Sequence, residues 1–249
     1  MEFYIFIAVG AVILLGIGIH HFLMKECVSV DPCSPDLGYE KGYEKLVSDA
    51  KRKVLVVVDF QKDFYDKEKG SLYVPGAENC VKPICEAILK EKFDNIIVTL
   101  DWHGFKDRSF KENGGEWQVH CLNYSEGASL HPDIMKAIKD SGSYCDFFLK
   151  GNCETHEEYG AFEKFFTYND NVVMRNYLCD SQVLLNYVSQ TDVFVCGLAG
   201  DFCVAKTFQN LEKIGFASVK LFDAGIAYIN EPEKKIESEF KTEDGQQKS

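Results

Sequence analysis

The strongest constraint on the fold is a rhythm: short β-branched apolar runs recur between stretches with helical spacing. Val54-Leu-Val-Val-Val58 is a continuous apolar run of strand length, the pattern of a parallel strand covered on both faces. Asn79 to Lys92 carries Val81, Ile84, Ile88 and Leu89 at helical spacing, which predicts a helix. Further strands are predicted at 96–100, 145–149, 193–196 and 218–222, with helical segments at 183–188 and 204–214. Alternation of this kind implies an α/β fold with a mostly parallel sheet and right-handed crossovers. The chain contains no internal repeat and no Gly-rich phosphate loop; Glu112-Asn-Gly-Gly115 reads as a turn.

Composition narrows the function classes. The 249 residues allow one large domain or at most two small ones, and 46% hydrophobic content supports an ample core. A formal net charge of -12 argues against a nucleic-acid partner, because phosphate binding needs a basic surface. The 10 cysteines include no Cys-x-x-Cys pair and read as mostly reduced, buried thiols.

The ends of the chain differ from its body. No charge occurs between Glu2 and Lys25, an apolar run long enough as a helix to cross a bilayer. A cleaved signal peptide and a buried helix are the alternatives. Glu2 in place of a basic residue disfavours the first, and the lack of a polar face disfavours the second. Residues 1–24 are therefore expected to form a membrane-spanning signal anchor. Lys25, Lys41, Lys45 and the Lys51-Arg52-Lys53 run follow it, which puts the body in the cytosol of a single-pass membrane protein. Residues 25–50 are the expected linker, 51–230 the main domain and 231–249 a polar tail. The sequence leaves homo-oligomer formation open.

In an open α/β sheet, ligands bind beyond the carboxyl ends of the strands. The first predicted strand ends in Asp59, the second in Asp101-Trp-His103 and the third in Lys150. The fourth runs into Gly197-Leu-Ala-Gly-Asp-Phe-Cys203, which opens a helix. Singly, Asp59 could cap a loop, Lys150 could be a solvated charge and Cys203 could be one buried thiol among several. Together on one rim they suggest nucleophilic attack on a carbonyl. A thiol at a helix start is pushed toward thiolate by the helix dipole and by a lysine. An acid such as Asp59 can take the thiol proton and return it to a leaving amine. Backbone N–H groups of the 198–203 turn can form an oxyanion hole. Asp101 and His103, two apart on an extended segment, face one side; with His120 they make a donor set suited to Zn²⁺, Fe²⁺ or Mn²⁺. The remaining histidines (His20, His21, His131, His156) read as structural or interfacial.

These segments together resemble the nicotinamidase group of the isochorismatase-like cysteine hydrolases. The resemblance runs through Val58-Asp-Phe-Gln-Lys-Asp-Phe64, Gly70-Ser-Leu-Tyr-Val-Pro-Gly76, Asp101-Trp-His103 with Ser109-Phe110, and Trp117-Gln-Val-His-Cys121 with Gly127-Ala128. It continues through Lys150-Gly151, Tyr159-Gly-Ala-Phe162 and Cys196-Gly-Leu-Ala-Gly-Asp-Phe-Cys-Val204. It implies a Rossmann-like three-layer α/β/α fold, with Cys203 as nucleophile, Asp59 as general base and acid, and Lys150 as the cation between them. It further implies one divalent metal on Asp101, His103 and His120, zinc first and iron or manganese next. Phe64, Trp117 and Tyr159 would wall the substrate ring. The N–H groups of Ala199 and Cys203 would form the oxyanion hole beside a cis peptide between Leu198 and Ala199.

Three positions depart from the family pattern. Gly200 replaces a threonine, which is expected to loosen that turn; Gln118 replaces a proline; Asp107 replaces a histidine. Asp107, Glu112 or water is the expected source of any further metal ligand. The resemblance implies hydrolysis of nicotinamide to nicotinate and ammonia in NAD salvage, with pyrazinamide as a second substrate. The alternatives are a relative acting on isochorismate or an N-carbamoyl compound, and a membrane-tethered non-catalytic nicotinamide binder.

Overall fold

A computed structural model describes residues 51–151, 158–162 and 188–230. Its centre is a sheet of five parallel strands in the order β3-β2-β1-β4-β5. These are β1 (Arg52–Val58), β2 (Asn95–Asp101), β3 (Tyr144–Lys150), β4 (Thr191–Gly197) and β5 (Ser218–Ile226). Each predicted strand is present, and every one runs a little further than its apolar run. Except on β5, the extensions bring in polar residues: Arg52, Asn95, Asp101, Lys150 and Thr191 are buried at strand ends. Apolar periodicity alone does not register such residues.

Two short-spaced helices follow β1: α1 (Lys62–Tyr65) and α2 (Ala77–Lys90). A third, α3 (Pro132–Ser141), precedes β3, and α4 (Ala205–Ile214) joins β4 to β5. The α3 helix is absent from the sequence reading because its core face is only Ile134, Ala137 and Ile138. Its start is nonetheless encoded: His131 Nδ1 caps the Asp133 N–H, and Pro132 sits in the first turn. The α2 and α3 helices pack against each other, and α2 and α4 both reach β5. Val56, Val57, Ile84, Ile88, Ile96, Ile134 and Val195 are almost fully enclosed between these layers.

The chain order reverses direction across the sheet between β1 and β4. A crevice forms there beyond the carboxyl ends of the strands. Register fixes what meets at that rim: Asp101 pairs with Lys150, Val58 with Thr99, and Val58 with Gly197.

The expectation of a single-pass membrane protein is corrected. No helix among the described residues is long and apolar enough to cross a membrane. The expected anchor at 1–24, the linker, residues 183–187 and the tail from 231 lie outside the described residues. Sufficient apolar length is a necessary condition for spanning a bilayer and does not by itself establish it.

Candidate active site

The chain leaves β1 through Asp59, which adopts a left-handed φ of 46°, a conformation that Asp tolerates better than most residues. This turn drives the carboxylate inward, where it is fully buried. Oδ1 accepts the Thr99 hydroxyl at 2.7 Å, and Oδ2 lies 2.7 Å from Lys150 Nζ. Lys150 closes β3 and is 2% exposed. Its ammonium also donates to Asp101 Oδ1 at 2.7 Å and reaches Cys203 Sγ at 3.5 Å. One buried cation thus joins the acid, the thiol and the first expected metal donor.

Electrostatics assign charges within this cluster. Burial opposes the Lys150 charge, but Asp101 and Asp59 outweigh it and hold its pKa well above the usual lysine range. Burial likewise opposes ionisation of Asp101, yet Lys150 and His103 hold it well below the usual carboxylate range. Asp59 moves the other way: burial raises it, and Lys150 offsets this only in part. Burial also pushes the Cys203 thiol well above its ordinary value; Lys150 opposes this only in part, and Asp59 and Asp101 reinforce the rise. A resting thiolate, expected from the helix dipole and the lysine, is therefore not favoured. Cys203 sits in a π-helical turn (Gly200–Val204) that precedes α4, among buried acids. The peptide between Leu198 and Ala199 is cis, as expected.

The metal-like set is compact. Asp101, His103 and His120 are all buried, with donor atoms within 4.8 Å of one another. Asp101 Oδ2 lies 3.0 Å from His103 Nε2 and 3.5 Å from His120 Nε2. His103 Nε2 is nevertheless buried without a hydrogen-bond partner; the contact has the separation but not the geometry of a hydrogen bond. Three donors converging with one left unsatisfied are what a divalent cation would complete. Gly151, at φ +70°, permits this approach: a Cβ there would lie 2.7 Å from His103 Cε1 and 2.8 Å from Asp101 Oδ1. Asp59, Asp101 and Cys203 form a second group of close donors, but the Lys150 ammonium already occupies their midst.

The other candidate ligands fall elsewhere. Asp107 lies behind His103, with Oδ2 2.9 Å from Nδ1, and Glu112 is exposed on a 3-10 turn (Lys111–Asn113). Burial opposes a charge on His103, but Asp101 and Asp107 raise its pKa to about 9. Gly200 also departs from expectation: a Cβ there would be 2.3 Å from the Tyr228 ring. Its role is close packing under the Cys203 turn, which Asp201 further ties down by accepting the Ile229 and Asn230 N–H groups.

A small cavity opens onto these groups. Phe64, Trp117 and Tyr159 line it as expected, together with Cys203, Ala199 and the metal-like set. Sequence reading missed Phe202, Leu72, Val74, Ile229 and Glu158 in the same wall. Trp117 Nε1 donates to Tyr159 Oη at 2.9 Å, and the Trp117 and Phe202 rings meet edge-on at 5.1 Å. A wider cavity lies between α2 and α3; it includes none of the rim residues, so the chemistry belongs to the smaller one. Positioning residues were missed too. Gln61 holds both backbone groups of Asp101, donating to its carbonyl and accepting its N–H, each at 2.7 Å. Asp63 accepts the Cys121 N–H beside His120 at 2.7 Å. Both alternate with Asp59 in one short segment, a spacing that could have drawn attention to them.

No protein-family model matches the chain. It is similar to the nicotinamidase of Saccharomyces cerevisiae, 26% identical over 217 residues, covering 76% of this chain and 95% of that one. Two solved structures share the fold. PnC1 from L. infantum in complex with nicotinate is 29% identical, with a TM-score of 0.54, over 74% of this chain and 84% of its own. The pyrazinamidase of Pyrococcus horikoshii in complex with zinc is 28% identical, with a TM-score of 0.52, over 72% and 88%. The match to the yeast protein accounts for nearly all of that relative with about three quarters of this chain.

Proposed function

We infer that this chain is a nicotinamidase of the isochorismatase-like cysteine hydrolases, a divalent-metal-dependent amidohydrolase that converts nicotinamide to nicotinate and ammonia. The observation that carries the reading is the Lys150 ammonium: it touches Asp59, Asp101 and Cys203 at once, coupling a nucleophile to a metal-like triad in one buried cluster. The nicotinamidase and pyrazinamidase relatives support the same substrate class, pyrazinamide included. The hydrolase body is assigned to residues 51–230, between a linker at 25–50 and a polar tail.

Asp101, His103 and His120 hold the metal; zinc suits two imidazoles and a carboxylate, and the Pyrococcus horikoshii relative binds zinc. When bound, the ion supplies a Lewis-acidic docking point for an aromatic ring nitrogen. Phe64, Trp117 and Tyr159 flank the ring. Asp59 takes the Cys203 thiol proton as Sγ bonds to the amide carbon, so activation is concerted with attack and needs no resting thiolate. The Ala199 and Cys203 N–H groups stabilise the oxyanion, at roughly 3–4 kcal/mol per donor. Asp59 then gives the proton to the amine, the C–N bond breaks and ammonia leaves a thioester on Cys203. Asp59 next deprotonates a water, whose attack releases nicotinate and restores the thiol. Lys150 keeps its charge throughout and balances the carboxylates.

A dianionic substrate such as isochorismate fits less well. Among the described residues, the cavity lining contains Asp101 and Glu158 and neither lysine nor arginine, and Arg108 is exposed. A non-catalytic binder would have no use for the buried Asp59–Lys150–Cys203 arrangement. The deciding experiment is ammonia release from nicotinamide and pyrazinamide by the purified, metal-loaded protein. Turnover of both is expected; turnover of N-carbamoyl substrates or isochorismate alone, or of none, would overturn the reading.

A further inference from the structure

The two imidazoles of the triad are held from behind by unlike groups. His120 Nδ1 lies 2.7 Å from the Gln118 carbonyl oxygen, whereas His103 Nδ1 lies 2.9 Å from the Asp107 carboxylate. Asp107 is 3% exposed and is itself fixed. Its Oδ1 accepts the Ser109 N–H at 2.9 Å, and its backbone oxygen accepts from Asn113 Nδ2 at 2.7 Å. The Phe110 ring, wholly buried, meets His103 edge-on at 5.3 Å and limits rotation of the imidazole. At the far end of the same ring, Nε2 faces Asp101 and has no hydrogen-bond partner. With a cation in the triad, one arrangement would satisfy both ends: Nδ1–H donates to Asp107, and the Nε2 lone pair is directed at the ion.

We propose that Asp107 is a positioning residue that fixes the tautomer and orientation of His103 as a metal ligand, and is not itself a ligand. It reaches the nitrogen on the opposite edge of the ring from the triad. The site is consequently asymmetric, with a full carboxylate behind His103 and a neutral carbonyl behind His120. A carboxylate behind a ligating histidine strengthens it as a donor and holds it in place, and losing such a partner typically costs 10–100-fold in metal affinity. The inference rests on the triad being the metal site and deepens that reading.

The test uses the full chain without substrate, so its outcome is separate from whether nicotinamide is turned over. Zn²⁺ affinity is measured by competition with a chromophoric chelator for the wild type, Asp107→Asn and Asp107→Ala, and the absorption spectrum of each Co²⁺-loaded protein is recorded. Asp107→Asn is nearly isosteric and can still accept from Ser109, so it covers the case in which Asp107→Ala does not fold. Zn²⁺ binding is expected to weaken by about 10–100-fold in Asp107→Asn, with the Co²⁺ bands kept at the wild-type positions and intensity. In the Zn²⁺ form, the ¹⁵N signal of His103 Nδ1 is expected to shift while that of His120 does not, a signature that mere destabilisation would not give. Unchanged affinity would overturn the proposal. So would Co²⁺ bands altered like those of His120→Ala, because these would make Asp107 a direct ligand.

Discussion

The proposed nucleophile half of the site and its proposed metal half are built by different means. Asp59, Lys150 and the Cys203 turn stand at the ends of β1, β3 and β4, so sheet register brings them to one rim. The left-handed turn at Asp59 and the Asp201 ties on the Cys203 turn complete the approach. His103 and His120 stand on loops and depend on local clamps: Asp107 behind one ring, Gln118 behind the other, and Asp63 on the backbone beside His120. Asp101 belongs to both halves, closing β2 while its backbone is gripped by Gln61. Lys150 links the halves directly. A parallel sheet can bring opposite charges together without help, but metal geometry demands an angular precision that loops acquire only from supporting hydrogen bonds.

Substitutions can separate the halves. The largest effect is expected for Lys150→Met, which strikes both. It leaves Asp59 and Asp101 buried without their cation, costing about 3–5 kcal/mol of stability, read by urea denaturation. Turnover should fall at least 10²–10³-fold with the loss of that charge. Gln61→Ala is aimed at the metal half. It strips both hydrogen bonds from the Asp101 backbone, with a stability loss of about 1–3 kcal/mol and reduced metal retention on dialysis. Normal retention would show that β2 alone suffices to place the donor.

A smaller effect, confined to the nucleophile half, should appear in the pH profile of kcat/KM. Asp59 must be ionised to accept the thiol proton, and burial raises its pKa in spite of Lys150. Activity should therefore fall as pH drops through a value above the ordinary carboxylate range of about 4, losing about tenfold per unit below it. A profile flat down to pH 4 would exclude Asp59 as the base.

Much of the nucleophile half was legible in the sequence because strand ends are legible. The first three apolar runs terminate next to Asp59, Asp101 and Lys150, the fourth runs into the Gly197–Cys203 turn, and an open parallel sheet gathers those termini on one rim. The support of the metal half was not. Asp107 is a candidate ligand in the sequence because it stands where the family pattern has a histidine, and only three-dimensional placement puts it behind the imidazole ring. Phe202 and Phe110 fall within family-like segments, but only the fold shows that they pack against Trp117 and against both imidazoles. The charge on Cys203 is hard to read for a related reason: sequence shows a lysine near a helix start but not the burial and the two acids that push the thiol pKa up. Gly200 looked like a loosened turn, whereas its lack of a side chain admits Tyr228.

The central claim is that Cys203 carries the acyl group, and rapid-quench mass spectrometry during nicotinamide turnover tests it most directly. A nicotinoyl adduct should appear on the peptide containing Cys203, at a rate competent for ammonia release, and both adduct and ammonia should vanish in Cys203→Ala. Sustained ammonia release by Cys203→Ala, with no acylated peptide in the wild type, would contradict it.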